Sequence, residues 1–118
     1  MKKIIFLLIF STFIAHADEY TCTYTWEGKR EAYPILIEVQ GDKAVIKGDL
    51  LIPTYEVASN TDTELLLYRI FTKANSDSDY PVGFTVMALD KKTKYFTRSN
   101  TFVNSEYNNH AFGKCGKI

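Results

Sequence analysis

The seven residues from Tyr20 to Trp26 alternate without interruption between two kinds of side chain. The intervening positions are all threonine, and the others are Tyr20, Cys22, Tyr24 and Trp26. A period of two in β-favouring residue types predicts a strand that packs one face against a core. Cys22 lies on that face, and the only other cysteine is Cys115, near the end of the chain. We expect these two cysteines to form a disulfide, so that the first and last strands are neighbours.

The N-terminal segment has the three parts of a secretory signal peptide. Lys2 and Lys3 precede an apolar run over 4–14, and Ala15-His16-Ala17 supplies a small-x-small cleavage site. A bilayer-spanning helix needs about 20 apolar residues, so this run is too short for an anchor. No cysteine stands at the cleavage point to carry a lipid. We therefore predict that 1–17 is removed, leaving one domain, 18–118, in the periplasm or outside a bacterial cell without a membrane anchor.

The charge of the exported chain argues against nucleic acid as a partner. Loss of Lys2 and Lys3 leaves 12 basic residues against 14 acidic ones, a net charge of −2. Nucleic-acid binding needs a basic patch or stripe, and the remaining basic residues are scattered. Two cysteines in an exported chain favour a disulfide, which for a loop of this size is worth about 4–5 kcal/mol.

The rest of the chain predicts a small all-β domain. Short apolar blocks alternate with turn signals, and no amphipathic helix is indicated. The expected strands are 20–27, 35–40, 44–47, 55–59, 64–72, 82–89, 94–99 and 111–115, with loops over 73–80 and 100–110. The inward side chains are predicted to be Ile35, Ile37, Leu65, Leu67, Phe84 and Val86. About eight antiparallel strands in a meander would close into a barrel, and an open two-sheet sandwich is the alternative.

Three local features add to this prediction. Pro34 is expected to mark the start of the second strand or an edge. Leu50, Leu51 and Ile52 are expected to be covered by a chain crossing. The strand 64–72 is apolar on both faces, which predicts either the most buried strand or a second face that meets a partner.

Groups for catalysis are scarce in the exported chain. His110 is its only histidine, and both cysteines are assigned to the disulfide. A Ser-His-Asp or Cys-His arrangement needs a nucleophile and an orienting group that the sequence does not indicate. We interpret His110 as a solvated loop residue, predict that the protein is not an enzyme, and expect no cofactor.

The polar loop 73–80 is the candidate interaction loop. Asn75, Asp77 and Asp79 are spaced like the first ligands of an EF-hand, but Tyr80 and Val86 stand where glycine and glutamate are required, so no metal site is predicted. Tyr80 follows this polar stretch and has little reason to be buried. We name Asp77, Asp79 and Tyr80 as the residues through which a protein partner would be contacted.

The plan of the chain resembles that of the periplasmic inhibitors of c-type lysozyme. The likeness consists of the signal segment, Tyr20-x-Cys22 at the start of the exported chain, the β-pattern and the late Cys115. It implies a small eight-stranded barrel and a periplasmic location. The inhibitory Ser-Gly-x-x-Tyr loop of that family has its nearest counterpart in 59–62, which lacks the glycine, and no tyrosine follows at the fourth place, so no inhibitory residue is assigned.

Two functions follow from these observations. The first is a non-enzymatic binding protein, of inhibitor or immunity type, that acts on a macromolecular partner. The second is a carrier that holds a small apolar ligand inside the barrel, which eight strands can accommodate. The bulky inward side chains favour a filled interior and therefore the first function.

Overall fold

The computed structural model describes residues 18–48, 54–72, 82–104, 106 and 108–118. Eight strands pair in sequence order, each antiparallel to the next, and β8 pairs with β1 to close a meander barrel. The strands are β1 (Asp18–Trp26), β2 (Ala32–Gln40), β3 (Lys43–Lys47), β4 (Thr54–Asn60), β5 (Glu64–Phe71), β6 (Gly83–Asp90), β7 (Tyr95–Phe102) and β8 (Asn109–Lys117). The predicted eight-stranded barrel is confirmed, and the open sandwich is excluded.

The seam between β1 and β8 closes the barrel as the cysteines predict. Cys22 lies directly opposite Cys115 in the register, and the two are disulfide-bonded with 4.0 Å between their α-carbons. Tyr20, Cys22 and Tyr24 are buried on the inner face. Gly113 brings the two strands unusually close, because a Cβ atom there would collide with the Thr23 carbonyl oxygen.

Inward-facing side chains fill the barrel. The predicted inward residues of β2 and β5, among them Ile37 and Leu67, are buried as expected. The largest side chains that are almost fully enclosed are Tyr55, Phe96, Ile37, Ile46, Leu65, Leu67 and Met87. An eight-stranded barrel has an interior just wide enough for side chains, and here side chains occupy it.

The predicted orientation of β6 is wrong. Phe84 is 44% exposed and Val86 is only half-buried, whereas Met87 and Leu89 face the interior. Both faces of β6 are apolar, so the side-chain pattern does not fix the orientation. The register with β5 fixes it instead, because Leu67 lies opposite Met87 and residues that pair across a sheet share one face.

The predicted loop over 100–110 is also too long. Asn100, Thr101 and Phe102 belong to β7, and Asn109 and His110 belong to β8. Phe102 is buried, whereas Val103 is 82% exposed. The polar residues here indicate a loop, yet Asn100 and Asn109 are paired across the two strands.

Other local predictions have mixed outcomes. Pro34 lies in the part of β2 that extends beyond the ladder with β3, which begins at Leu36, and this fits its expected edge position. The outer face of β5 is not enclosed, because Ile70 is 55% exposed. Residues 1–17 and 50–52 and the loop 73–80 lie outside the described residues. Within the described part of the chain, no helix is long and apolar enough to cross a membrane.

The two ends of the barrel are connected differently. At the turn end, strands are joined by 41–42, 61–63 and 91–94, and the first residue of β1 and the last residue of β8 lie there. At the loop end, the connections are 27–31, 48–53, 72–82 and 103–108. A meander places alternate connections at opposite ends, so each end has its own set of loops.

Hydrogen bonds tie the turn end together. Gly41 takes a left-handed φ of 64° in the two-residue turn between β2 and β3, a conformation that favours glycine. The Asp90 carboxylate accepts from the backbone N–H groups of Lys92 and Thr93, at 2.9 and 3.1 Å. The Lys91 N–H donates to the Thr63 carbonyl, which joins two neighbouring turns. The candidate site lies at the loop end.

Candidate functional site

Two aromatic side chains stand partly exposed where β1 and β2 meet the loop end. Trp26 is the last residue of β1 and is partly buried, and Tyr33, near the start of β2, is 41% exposed. In the alternation of their strands, both residues occupy positions whose side chains face inward, so they lie over the barrel opening. Tyr24 packs beneath them, with ring centroids 5.5 Å from Trp26 and 6.0 Å from Tyr33.

A buried arginine contacts the Tyr24 and Trp26 rings. Arg98 on β7 is only 6% exposed. Its guanidinium donates to the hydroxyl oxygens of Tyr24 and Tyr55, at 3.1 and 3.3 Å, and lies 5.5 Å from the Trp26 ring centroid. Hydrogen bonds and aromatic faces offset part of the cost of burying this charge. We call Trp26, Tyr33, Tyr24 and Arg98 the aromatic mouth.

A short polar chain orders the β6–β8 side of the same end. Thr85, buried on β6, donates to the Asn100 side-chain oxygen at 2.7 Å, and the Asn100 amide donates to Asn109 at 2.5 Å. The Asn108 side chain then accepts from the Phe102 backbone N–H at 2.6 Å. These contacts join the strand ends that flank 103–108.

Tyr33 also has a defined polar contact. Its hydroxyl donates to the Glu31 carboxylate at 3.0 Å, and this hydrogen bond raises the pKa of the tyrosine above its ordinary value. The phenol therefore stays neutral at physiological pH. The aromatic mouth thus presents neutral ring surface at its exterior and a cation beneath it.

A second feature is an uncharged area on the outside of β5–β8, which we call the outer field. The register arranges its residues in three rows. They are Leu66, Ala88, Thr97 and Phe112, then Tyr68, Val86, Ser99 and His110, then Ile70, Phe84 and Thr101. No aspartate, glutamate, lysine or arginine occurs among them. Four aromatic rings contribute to it, and a groove of about 630 Å³ at its loop-end corner is lined by Ile70, Phe84 and Val103 among others.

The outside of β2–β4 has the opposite character. Lys47 pairs with Glu38 at 2.6 Å, and Lys43 pairs with Glu56 between β3 and β4. Each hydrogen bond raises the pKa of its lysine, so both lysines are charged at neutral pH. Exposed ion pairs of this kind add little stability but keep a surface hydrated. The outside of β2–β4 therefore carries charged pairs, whereas the outer field carries none.

The structure describes one of the residues singled out from the sequence, His110, but not those of the candidate interaction loop. Asp77, Asp79 and Tyr80 lie outside the described residues, together with Asn75. His110 is on β8 rather than in a loop, is half-buried, and stacks on Phe112 with ring centroids 4.5 Å apart. Its interpretation as a solvated loop residue is therefore wrong, because the β7 pairing extends further than the polar sequence indicated.

His110 has no catalytic constellation around it among the residues that the structure describes. Ser99 lies opposite it across the β7–β8 pair, but the structure shows no hydrogen bond between the two side chains. In the same described ranges, no cluster of three or more histidine, cysteine, aspartate or glutamate side chains is arranged to hold a metal ion.

Sequence reasoning missed the aromatic mouth, although it identified the apolar outer face of β5. The local pattern around Arg98 gives no direction for its side chain, and its burial depends on Tyr24 and Tyr55, which are 74 and 43 residues away in the chain. Tyr33 falls before the predicted start of the second strand. The alternation Tyr24, Trp26 was a usable signal, since it pointed the inner face of β1 toward the opening. Comparisons with known protein families, with curated proteins and with solved structures found no match.

Proposed function

We propose that this protein is an exported, non-enzymatic binding protein that contacts a protein partner through the aromatic mouth. The observation that carries this proposal is a pair of partly exposed rings at the loop end, Trp26 and Tyr33, which both contact the buried Tyr24. Trp26 also lies beside the Arg98 guanidinium. Tryptophan, tyrosine and arginine are the residue types that most often dominate binding energy in protein interfaces.

Preorganisation supports the same function. Trp26 and Tyr33 are on strands rather than on loops. Both rings contact the buried Tyr24, and Trp26 also lies beside the Arg98 guanidinium. Ordering of flexible side chains costs roughly 0.5–1.5 kcal/mol each on association, and rings already held in place avoid much of that cost. The candidate interaction loop 73–80 joins β5 to β6, whose adjoining ends are at the same end of the barrel.

Export is part of the proposal. The disulfide between Cys22 and Cys115 fits an oxidising compartment, and the basic, apolar and small-residue parts of 1–17 fit a secretory signal. We propose that the protein is of inhibitor or immunity type. The plan-level likeness to lysozyme inhibitors makes lysozymes the first partners to test.

The carrier hypothesis has less support. A carried ligand needs room inside the barrel, and Ile37, Leu67, Met87 and Phe96 occupy that space. An enzymatic role has no candidate constellation around His110 in the described part of the chain. The binding function therefore remains the proposal that the side-chain arrangement favours.

The test is a capture experiment with the disulfide-intact protein immobilised at one density. Periplasmic extract, culture supernatant and purified lysozymes of several types are passed over wild type and over Tyr33→Ala. The expected result is a specific protein, or a lysozyme, held by wild type and bound at least tenfold more weakly by the variant, since tenfold corresponds to about 1.4 kcal/mol.

Two controls locate the contact. Tyr33→Phe keeps the ring and should bind like wild type, which separates the ring from the hydroxyl that contacts Glu31. Ile118→Ala removes an exposed apolar side chain at the turn end and should have no effect. Retention of no protein, or equal retention by Tyr33→Ala and wild type, would overturn the proposal.

A further inference from the structure

We propose that the cavity beside Arg69 binds a small monocarboxylate that carries an apolar chain. The site is separate from the aromatic mouth, and the inference does not depend on the proposed function. It rests on the contacts of one arginine, on the charges around a cavity of about 330 Å³, and on the apolar surface that adjoins this cavity.

Arg69 lies on the inner face of β5, close to the loop end. Its position alternates with those of the buried Leu67 and Phe71, and its guanidinium carbon lies 5.7 Å from the Phe71 ring centroid. Its Nη1 atom donates to the backbone carbonyl of Thr54 at 3.1 Å, which holds the guanidinium against the first residue of β4. Arg69 is therefore held between a ring and a backbone group that are both uncharged.

The positive charge of Arg69 has no counterion in the described part of the chain. No ion pair there joins Arg69 to an acidic side chain. Its Nε atom is buried, and within the same ranges this atom has no hydrogen-bond partner. Arginine stays protonated in proteins, so it cannot avoid poor solvation by losing its charge. An anion that pairs with the guanidinium would offset this cost.

The remaining edge of the guanidinium suits a carboxylate. Nη1 is used by the Thr54 carbonyl, while Nε and Nη2 lie side by side on an edge that makes no hydrogen bond to a described residue. Two parallel N–H groups on one planar edge match the two oxygens of a carboxylate, and a lysine ammonium does not offer such an edge.

The charges around the cavity favour a ligand with a single negative charge. The cavity is lined by Thr54, Glu56, Tyr68, Arg69 and Ile70. The Glu56 carboxylate accepts from the Lys43 ammonium at 2.6 Å, so these two charges offset each other and Arg69 leaves one net positive charge. A monoanion neutralises that charge, whereas a dianion would add a negative charge beside Glu56.

The neighbouring surface defines the rest of the ligand. Tyr68 and Ile70 line both this cavity and the groove of about 630 Å³ at the corner of the outer field. Ile70 is 55% exposed, and Phe84 and Val103 extend the groove with further apolar surface. A ligand held by its carboxylate at Arg69 can therefore lay an apolar chain along Ile70. Fatty acids of medium length have this chemistry.

The experiment is an NMR titration of the disulfide-intact protein with octanoate at constant ionic strength. Octanoate should shift the side-chain Nε–H signal of Arg69 in a saturable manner. It should bind at least tenfold more tightly than acetate or 1-octanol, because acetate lacks the chain and 1-octanol lacks the charge. Absence of an Arg69 shift up to about 10 mM octanoate would overturn the site. Equal affinity for acetate or 1-octanol, or tighter binding of octyl phosphate, would overturn the assignment of the ligand.

Substitutions then test the charges one at a time, with affinities read from the backbone amide shift of Ile70. Arg69→Met should weaken octanoate binding at least tenfold, and Arg69→Lys, which keeps the charge without the planar edge, should weaken it about threefold. Lys43→Met releases the Glu56 carboxylate and should weaken binding, whereas Glu56→Gln removes that carboxylate and should strengthen it.

The controls separate this site from the rest of the loop end. Arg30→Met removes an exposed arginine of the 27–31 connection and should bind octanoate like wild type. Circular dichroism checks that each variant keeps its β-structure, and the Lys43 and Glu56 variants test the proposal even if Arg69→Met does not fold. Unchanged affinity in Arg69→Met, or the same change in Lys43→Met and Glu56→Gln, would overturn it. Tyr33→Ala should leave octanoate binding unchanged, so failure here is distinct from failure of partner binding.

Discussion

The turn end and the loop end of this barrel are built from the same eight strands but for different purposes. At the turn end, Gly41 and Asp90 make turns whose backbone geometry is defined by a left-handed φ and by carboxylate hydrogen bonds. At the loop end, Trp26 and Tyr33 present ring surface over the buried Tyr24, and Arg98 lies beside the Trp26 ring. If recognition lies at the loop end, as we propose, the difference separates stability from recognition along one barrel axis, and each should change without the other.

The largest expected effect concerns the seam on which both ends depend. Replacing Cys22 and Cys115 with alanine removes a link between residues 93 apart, which should lower the free energy of unfolding by about 4–5 kcal/mol. Urea denaturation followed by tryptophan fluorescence and by circular dichroism measures this loss. Coincident curves would show that both ends unfold together, whereas a loss below about 1 kcal/mol would show that the barrel closes without the disulfide.

The second effect compares two glycines on the same strand. Gly113→Ala forces a Cβ against the β1 backbone on the loop-end half of the seam, and overpacking of this kind costs about 1–3 kcal/mol. Gly116→Ala meets nothing within 4 Å on the turn-end half, and we expect a change of a few tenths of a kcal/mol. Thermal denaturation of both variants tests this contrast. Equal midpoints would contradict the close approach of β1 and β8.

The third effect compares one substitution at each end of the barrel. Gly41→Ala should cost roughly 1–2 kcal/mol of stability, because alanine is strained at the left-handed φ of this turn, and should leave partner binding unchanged. Tyr33→Ala should cost about 0.5–1 kcal/mol, since it loses one ring contact, while removing most of the binding. Stability against unfolding and partner binding are measured on both variants. If each substitution changed both properties equally, the separation of stability from recognition would be contradicted.

The smallest effect is the pH dependence at the turn end. Backbone N–H groups of Thr93 and Lys92 lower the pKa of Asp90 in the folded protein. The Asp90 carboxylate therefore stabilises the fold at pH values above the pKa that Asp90 has in the unfolded chain. That contribution is lost as the pH falls through the lowered folded-state pKa. Asp90→Asn should therefore be less stable than wild type at pH 7, and the gap should shrink below about pH 4. Parallel stability curves across this range would contradict the assignment.

Where one face of a strand is polar, its orientation could be predicted from the sequence. The threonines of β1 and the acidic Glu38 of β2 leave no doubt about which side is inward, and Cys22 on that side identified the seam with Cys115. The closed meander followed from this seam together with the spacing of the turns. Local alternation was sufficient here because it recorded directly which face meets water.

The remaining features depend on pairing between strands. Phe84 and Met87 are both apolar, so only the register with β5 decides which of them is inside. Arg98 is charged, and its burial requires the Tyr24 and Tyr55 hydroxyls from distant strands. Asn100 resembles a loop residue until Thr85 and Asn109 are placed on either side of it. The candidate site was missed because it is made of such non-local contacts.

The most direct test of the central claim is the hydrogen-exchange footprint of the captured partner. Amide exchange is measured on the free protein and on the complex, with wild type at saturating partner. Binding at the aromatic mouth predicts slower exchange over 26–33, with little change in the turns 41–42, 61–63 and 91–94. Protection confined to those turns, or to the outer field, would contradict the assignment of recognition to the loop end.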